Sequence, residues 1–274
     1  MEIHGVGTQL YVWSQVYGRE GKPLEAHLDA AFSEVAGAGY DGLETNLAFL
    51  KDEASTERFK ALLDKHGLKA PSLYHGGIYH DRAKAEATVA ETVALAERTR
   101  EIGCQMINVN PSPKGGGAEK TDEELLIQTE YINRLGEALH QHGLQLVLHN
   151  HTPEIVNDAR ELRANCAYTD ARYVNLCLDT HWAWRGGMNP FELMTAYRNR
   201  IRSLHIRNSV KGIWSEALGE GDIDHAAMRD LLASIDYKGW LYVELAYEEK
   251  TVVTRTLAEN ARLSREYVRA IFGI

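Results

Sequence analysis

Short runs of apolar and β-branched residues recur along the chain at nearly even spacing. They are GTQLYVW (7–13), YDGLETN (40–46), LKAPSLYH (68–75), QMINVNP (105–111), LQLVLHN (144–150), YVNLCLD (173–179), IRSLHIRN (201–208) and GWLYVEL (239–245). Each has the length and residue types of a strand. Between them lie longer stretches such as EAHLDAAFSEVAGAG and AEATVAETVALAERTREIG, with apolar residues at helical spacing. The pattern predicts strand alternating with helix. Punctuation agrees: Gly39, Gly67, Gly103 and Gly143 stand where helices would end, and Ser55 precedes the helical run TERFKALLDKHG. Thr121 opens another helix with Glu124 three residues on as a capping box, and Asn189 precedes Pro190 at a first helical position.

No Pro/Ser-rich linker or shift of composition divides the units, so residues 1–274 are expected to form one domain. Eight strand–helix units fit a closed (β/α)8 barrel of the α/β class, which typically takes about 250 residues. An open doubly wound sheet shares the alternation. No strand, however, is followed by the glycine-rich fingerprints of dinucleotide or nucleotide binding. In a closed barrel the chemistry sits at the C-terminal ends of the strands.

Composition narrows the partners. With 44% hydrophobic and 25% charged residues the chain has ample material for a core. Its 30 Lys and Arg against 39 Asp and Glu leave a net charge of −9 and no general basic field, which argues against nucleic acid and anionic membranes. No apolar run is long enough to span a bilayer and the N-terminus lacks the signature of a signal peptide, so a cytoplasmic location is expected. Cys104, Cys166 and Cys177 are widely separated in apolar contexts and read as reduced core thiols.

Histidines and carboxylates collect at the predicted strand ends. His75 ends the third strand, His149 and His151 the fifth, His181 follows the sixth and His205 lies near the end of the seventh. Glu44 ends the second strand, Asp179 the sixth, and Glu244 sits near the end of the eighth. Strands five to eight each offer one ligand type, His149, Asp179, His205 and Glu244, on neighbouring staves about 5 Å apart. Two imidazoles and two carboxylates neutralise a divalent cation and suit Mn²⁺, Co²⁺, Fe²⁺ or Zn²⁺ better than Ca²⁺.

The segments LHNH (148–151), DTHW (179–182), LHIRN (204–208), GEGDID (219–224) and GWLYVEL (239–245), with TQLYVW near the start, resemble the xylose isomerase-like TIM barrels, the sugar isomerase/epimerase superfamily, along the whole chain. The resemblance implies one divalent metal ion, Mn²⁺ first and Co²⁺, Zn²⁺, Fe²⁺ or Mg²⁺ as alternatives, promoting proton transfer beside the carbonyl of a sugar-like substrate. Relatives of that kind include ketose 3-epimerases, hydroxypyruvate isomerases, inosose dehydratases, keto-glycoside lyases and metal-dependent abasic-site endonucleases. Two departures bear on the chemistry. In the ketose epimerases the strand-five ligand is a Glu that works as an acid/base opposite the strand-eight Glu, whereas His149 stands here. Their substrate-binding His three residues after the strand-six Asp is replaced by Trp182, with His181 one earlier.

Glu244 is the first expectation for the base, with His151, His181 and then Glu154 as the second acid/base; His151 is equally suited to orienting a ligand. Glu44, Asn46, His75, Asn110 and Arg207 are expected on the substrate. Trp13, Trp182, Trp184 and Trp214 are expected around the mouth, for stacking on a sugar face, core packing or a subunit contact. Asp222 or Asp224 is expected to cap the helix after the seventh strand. Glu216 and Glu220 make that region acidic, which favours a neutral sugar over a phosphorylated one, while Lys114 and Gly115–Gly117 keep an anion site after the fourth strand in view. The leading expectation is a sugar or keto-sugar isomerase or epimerase working through an enediolate. The alternative is a lyase or dehydratase expelling water or an alcohol from a keto-sugar or keto-glycoside, favoured by His149 in place of Glu. A third is a barrel that binds a metabolite or partner without turnover. A homo-oligomer is consistent with the family resemblance.

Overall fold

The computed structural model describes residues 1–274, and its parallel strands β1 (Glu2–Gln9), β2 (Gly42–Asn46), β3 (Lys69–Gly77), β4 (Met106–Pro111), β5 (Gln145–His149), β6 (Val174–Asp179) and β7 (Ile201–Ile206) pair edge to edge in chain order. A two-residue hairpin, β8 (Ser209–Val210) and β9 (Ile213–Trp214), leaves the ring before β10 (Lys238–Val243) pairs with both β7 and β1 and closes it. This is the expected (β/α)8 barrel. The long connections carry the helices α2 (Leu28–Gly37), α3 (Glu53–His66), α4 (Arg82–Ala96), α5 (Asp122–Gln141), α6 (Thr152–Tyr168) and α9 (His225–Ser234), with α10 (Leu257–Phe272) last and the short α7 (Thr180–Arg185) and α8 (Pro190–Ala196) after β6. No helix is long and apolar enough to cross a membrane.

The first element differs from its expectation. The run 7–13 reads as a strand, but β1 ends at Gln9 and Tyr11–Arg19 form a helix, α1. The true strand carries no apolar alternation because Gly5 and Gly7 occupy its inward positions. A Cβ on either would meet the rings of Trp240 or Tyr242 at 2.5–2.6 Å. Those two rings, with Met106, Val147 and Cys177, fill the interior below the site. The caps largely follow the sequence, with Thr121–Glu124 a complete capping box and Asn189 accepting from Phe191 N–H. The exception is α3, where Asp52 is the cap and Ser55 its partner three residues on. All three cysteines are free, Cys104 and Cys177 buried and Cys166 partly so.

Two features after the strands matter for the site. Helix α6 is interrupted after its first turn: Val156 is extended and Asn157, Asp158 and Ala159 take φ of 54–57°, separating Glu154 from the body that carries Glu161. The hairpin β8–β9 turns through Lys211 and Gly212, both at positive φ, and Asp222 accepts from the N–H of each. Asp224 alone caps α9, through Ala226 and Ala227 N–H. Gly221 is required beside the hairpin because a Cβ there would collide with the Ser209 carbonyl.

Candidate functional site

His149, Asp179, His205 and Glu244 converge at the open end of the barrel, their ligand atoms all within 4.8 Å of one another and every residue buried. The strand register brings them together: Asp179 pairs directly with His205, and Glu244 follows β10 with its N–H on the Ile206 carbonyl. His149 Nε2 lies 3.7 Å from Asp179 Oδ2 and 3.6 Å from Glu244 Oε2, and His205 Nδ1 lies 2.8 Å from the same Glu244 oxygen. Neither nitrogen of His149 has a hydrogen-bond partner although the ring is buried. A buried polar atom without a partner is costly. Donors bound tetrahedrally at about 2.1 Å sit about 3.4 Å apart, so the spacing around His149 fits one small cation. The four residues can hold a metal ion.

The surrounding polar groups hold these donors from behind. Glu44 accepts from Ser72 Oγ and, at 3.1 Å, from Asn108 Nδ2, and its Oε1 lies 3.0 Å from His205 Nε2. A carboxylate behind one ring nitrogen orients the other toward the cluster. Glu44 therefore lies beneath the cluster rather than on a substrate. Asn150 donates to the Asp179 carbonyl and accepts from its N–H, tying the end of β5 to β6. Asn110 donates to the His149 carbonyl and accepts at 3.0 Å from His151 Nδ1. It too serves the donors, not the cavity.

A cavity of about 660 Å³ opens above the cluster. His149, His205 and Glu244 line its floor, and His151, Arg207, Trp182, Trp214 and Asn46 its walls. Asn46 also caps the following turn through Oδ1, on Ala48 N–H. Arg207 is buried, 3.0 Å from Asp179 Oδ2 and 2.9 Å from Glu244 Oε2. Burial alone would raise both carboxyls, but the Arg207 guanidinium and the His149 ring together, joined at Glu244 by His205, outweigh it and hold Asp179 low and Glu244 well below the usual range. Burial, with His149 beside it, pushes His151 down to about 3, so its ring is neutral. With Nδ1–H given to Asn110, its Nε2 makes no hydrogen bond within the protein.

Several expected residues lie elsewhere. His75 is on β3 but faces away from the cavity, because Ser72 and Tyr74 point inward and the strand alternates. Tyr74 takes the place expected of His75, its ring 6.2 Å from that of His149. His181 is fully buried with both nitrogens engaged, by Ser209 Oγ and the Trp214 indole, and burial pushes it down to about 4. It does not line the cavity. Trp13 belongs to the core, its indole N–H on Glu34, and Trp184 lines a separate groove near Pro190. Glu154 lies behind His151, its Oε2 on the His151 N–H. The expected anion site near Lys114 is a groove of about 260 Å³ in which Lys114, Lys120 and Arg160 are each paired with a carboxylate, Glu124, Glu161 and Asp122. Residues that sequence reasoning missed at the cavity are Gln9, Leu10, Tyr11, Ser14, Leu24, Thr45 and Phe49, which come from β1, β2 and the segments that follow them.

Comparisons with known proteins agree with this architecture. The inosose dehydratase of Geobacillus kaustophilus is 26% identical over 271 residues, covering 88% of this chain and 86% of that one. That of Mesomycoplasma hyopneumoniae strain J is 28% identical over 278 residues, covering 89% of each. Among solved structures, D-psicose 3-epimerase with D-tagatose from Clostridium cellulolyticum superposes with a TM-score of 0.78 at 17% identity, covering 98% of this chain and 99% of that one, a likeness of fold. The profile of the xylose isomerase-like TIM barrels matches residues 32–271, and the chain belongs to that family.

Proposed function

We propose that the chain is a metal-dependent lyase that removes water from a keto-cyclitol or a related keto-sugar. The reaction in the names of its sequence relatives supports this ahead of the isomerase reading. The observation that carries it is the asymmetry of the site. Only one glutamate, Glu244, stands among the converging donors, and the group free to exchange a proton beside them is the neutral imidazole of His151. A symmetric carboxylate pair of the kind epimerisation uses is missing.

His149, Asp179, His205 and Glu244 would hold one divalent ion, Mn²⁺ first. When bound it supplies Lewis-acid stabilisation of the charge that develops on the substrate's carbonyl oxygen. Arg207 presents a fixed guanidinium to the oxygens of the same substrate. His151, held by Asn110 through Nδ1, takes the proton α to the carbonyl at Nε2. It returns that proton to the departing β-hydroxyl. The C–H and C–O bonds break, the carbon–carbon double bond forms, water leaves, and His151 ends neutral as it began. Trp182 and Trp214 keep bulk water from the reacting face. Isomerisation is the second reading, with Glu244 as base: its Oε2 is engaged by His205 while Oε1 has no protein partner.

The test is mass spectrometry of inososes, 3-keto-glycosides and ketoses incubated in D₂O with protein loaded with Mn²⁺. Loss of one water from an inosose supports the lyase. Deuterium uptake without loss of water otherwise selects the isomerase, and neither outcome with any substrate overturns both.

A further inference from the structure

The hairpin β8–β9 is held to the site by a buried chain of hydrogen bonds whose direction is fixed by chemistry. The Trp214 indole can only donate, so His181 Nδ1, 3.2 Å away, accepts. The proton of His181 is then on Nε2 and goes to Ser209 Oγ at 2.8 Å. Ser209 in turn gives its own proton to Asp222 Oδ2 at 2.6 Å. Asp222 is anchored by the two N–H groups of the hairpin turn. Ser209 and Trp214 are cross-strand partners in the hairpin, and both meet His181. Ser209 and His181 are fully buried.

The far end of this chain is the ring that faces the cavity. Two guanidiniums lie over the Trp214 ring, Arg185 at 4.4 Å and Arg207 at 4.7 Å from its centroid. Glu248 fixes both neighbours, accepting from Trp214 N–H and pairing with Arg185. Trp182 meets Trp214 edge to face at 5.2 Å and also lies under Arg207. A guanidinium over an indole gains energy only at close approach, so the tilt of Trp214 acts together with the Asp179 and Glu244 ion pairs in setting where Arg207 rests.

We propose that Asp222, Ser209 and His181 form a positioning chain that sets the Trp214 indole, and through it aims the Arg207 guanidinium at the oxygen-bearing face of a ring substrate. The three residues are positioning residues and Trp214 transmits their effect. The hairpin after the seventh strand, more than the barrel wall, then sets how tightly a polyhydroxylated ring is gripped. The claim rests on the reading of Arg207 as the substrate-side cation.

The experiment compares wild type with Ser209→Ala, Ser209→Thr, Trp214→Phe and Arg207→Lys, using Mn²⁺-loaded protein and 2-keto-myo-inositol. Loss of one buried hydrogen bond in Ser209→Ala is expected to raise KM about three- to tenfold with kcat within about twofold, the pattern of lost uniform binding. Ser209→Thr, which keeps the hydroxyl, restores KM. In an Arg207→Lys background Ser209→Ala adds nothing further, because the aimed group is gone. In ¹⁵N–¹H spectra recorded with diamagnetic Mg²⁺ in place of Mn²⁺, the indole resonance missing from Trp214→Phe shifts in Ser209→Ala, while bound metal per chain is unchanged. An unmoved indole resonance in Ser209→Ala overturns the chain. So does an equal cost of Ser209→Ala with and without Arg207, or a loss confined to kcat. If wild type neither binds nor converts 2-keto-myo-inositol, the lyase reading fails for that substrate, and the indole resonance still decides the chain.

Discussion

Glutamine in place of Glu154 separates a buried structural acid from a catalytic one. Glu154 is 1% exposed, with Oε2 on the His151 N–H and Oε1 buried without a partner. Burial, with Glu161 nearby, pushes its carboxyl from 4.5 up to about 7. A carboxyl raised in the fold keeps its proton where the unfolded chain has lost it. Between pH 4.5 and 7 the unfolded state therefore binds fewer protons, and stability falls as pH rises. Its contribution is complete below pH 4.5 and lost above about pH 7. The shift, at about 1.4 kcal/mol per unit, is on the order of 3 kcal/mol. The substituted glutamine keeps an acceptor for His151 N–H and cannot ionise. Urea unfolding in the presence of a chelator, at half-unit steps from pH 4 to 8, reads the difference between the two proteins. Glu154→Gln should gain on wild type steadily from pH 5 to 7 and level off above. A difference that stays flat, or one in which wild type gains as pH rises, refutes the argument. If Glu154 serves only behind His151, kcat of the variant stays within about threefold of wild type.

Four further outcomes follow from the geometry. Alanine at His149 or at Asp179 should abolish stoichiometric bound metal by elemental analysis, and full retention in either would place the site elsewhere. Glu44→Gln turns an acceptor beside His205 into a donor and should weaken metal binding about 10- to 100-fold in a chelator competition; equal affinity removes Glu44 from the site. His151→Ala should keep its metal yet lose about 10²- to 10⁴-fold in kcat, and near-normal turnover would exclude it as the proton carrier. Lys120→Met strands the buried Glu161 carboxylate and should cost about 3–5 kcal/mol by chemical denaturation, a loss that the double variant with Glu161→Met largely recovers.

What the sequence made legible follows from where side chains can and cannot be seen in a pattern. The four converging residues were readable because each ends a strong apolar strand, and parallel pairing carries neighbouring strand ends to one rim. Depth was not readable. Glu44 and Asn110 stand near strand ends as expected, yet Glu44 faces the back of the His205 ring and Asn110 the His149 carbonyl. His75 and Tyr74 are adjacent, and which one enters the cavity depends on a register that the run LKAPSLYH leaves open; the small inward Ser72 was the available clue. Strand β1 escaped because glycines stand where its inward side chains would be. The hairpin β8–β9 escaped because two-residue strands carry no period, although Lys211–Gly212 is a turn signal. His181 looked like a free imidazole only because its partners, Ser209 and Trp214, come from a segment that folds back over it.

The distribution of roles around the barrel explains why one fold can serve both proton shuttling and elimination. Strands β5, β6, β7 and β10 carry the four donors, whereas β2, β3 and β4 supply Glu44, Ser72, Asn108 and Asn110, which hold rings in place. The donor half is therefore fixed from behind, and the reaction is left to whatever single group faces the cavity beside it. Epimerisation requires proton exchange on both faces of a carbon and hence two such groups set opposite each other. Elimination of water needs one group that collects a proton and gives it back to a leaving hydroxyl on the same side. On the reading proposed above, an imidazole at position 149, Glu244 held low by Arg207 with His205 and His149, and His151 fixed through Nδ1 with Nε2 free favour the second requirement over the first. On the proposed reading, a carboxylate at position 149 would be the change that moves this barrel toward epimerisation. His149→Glu should then show deuterium exchange without loss of water, and a variant that still only eliminates water would separate the identity of the fifth-strand ligand from the choice of reaction.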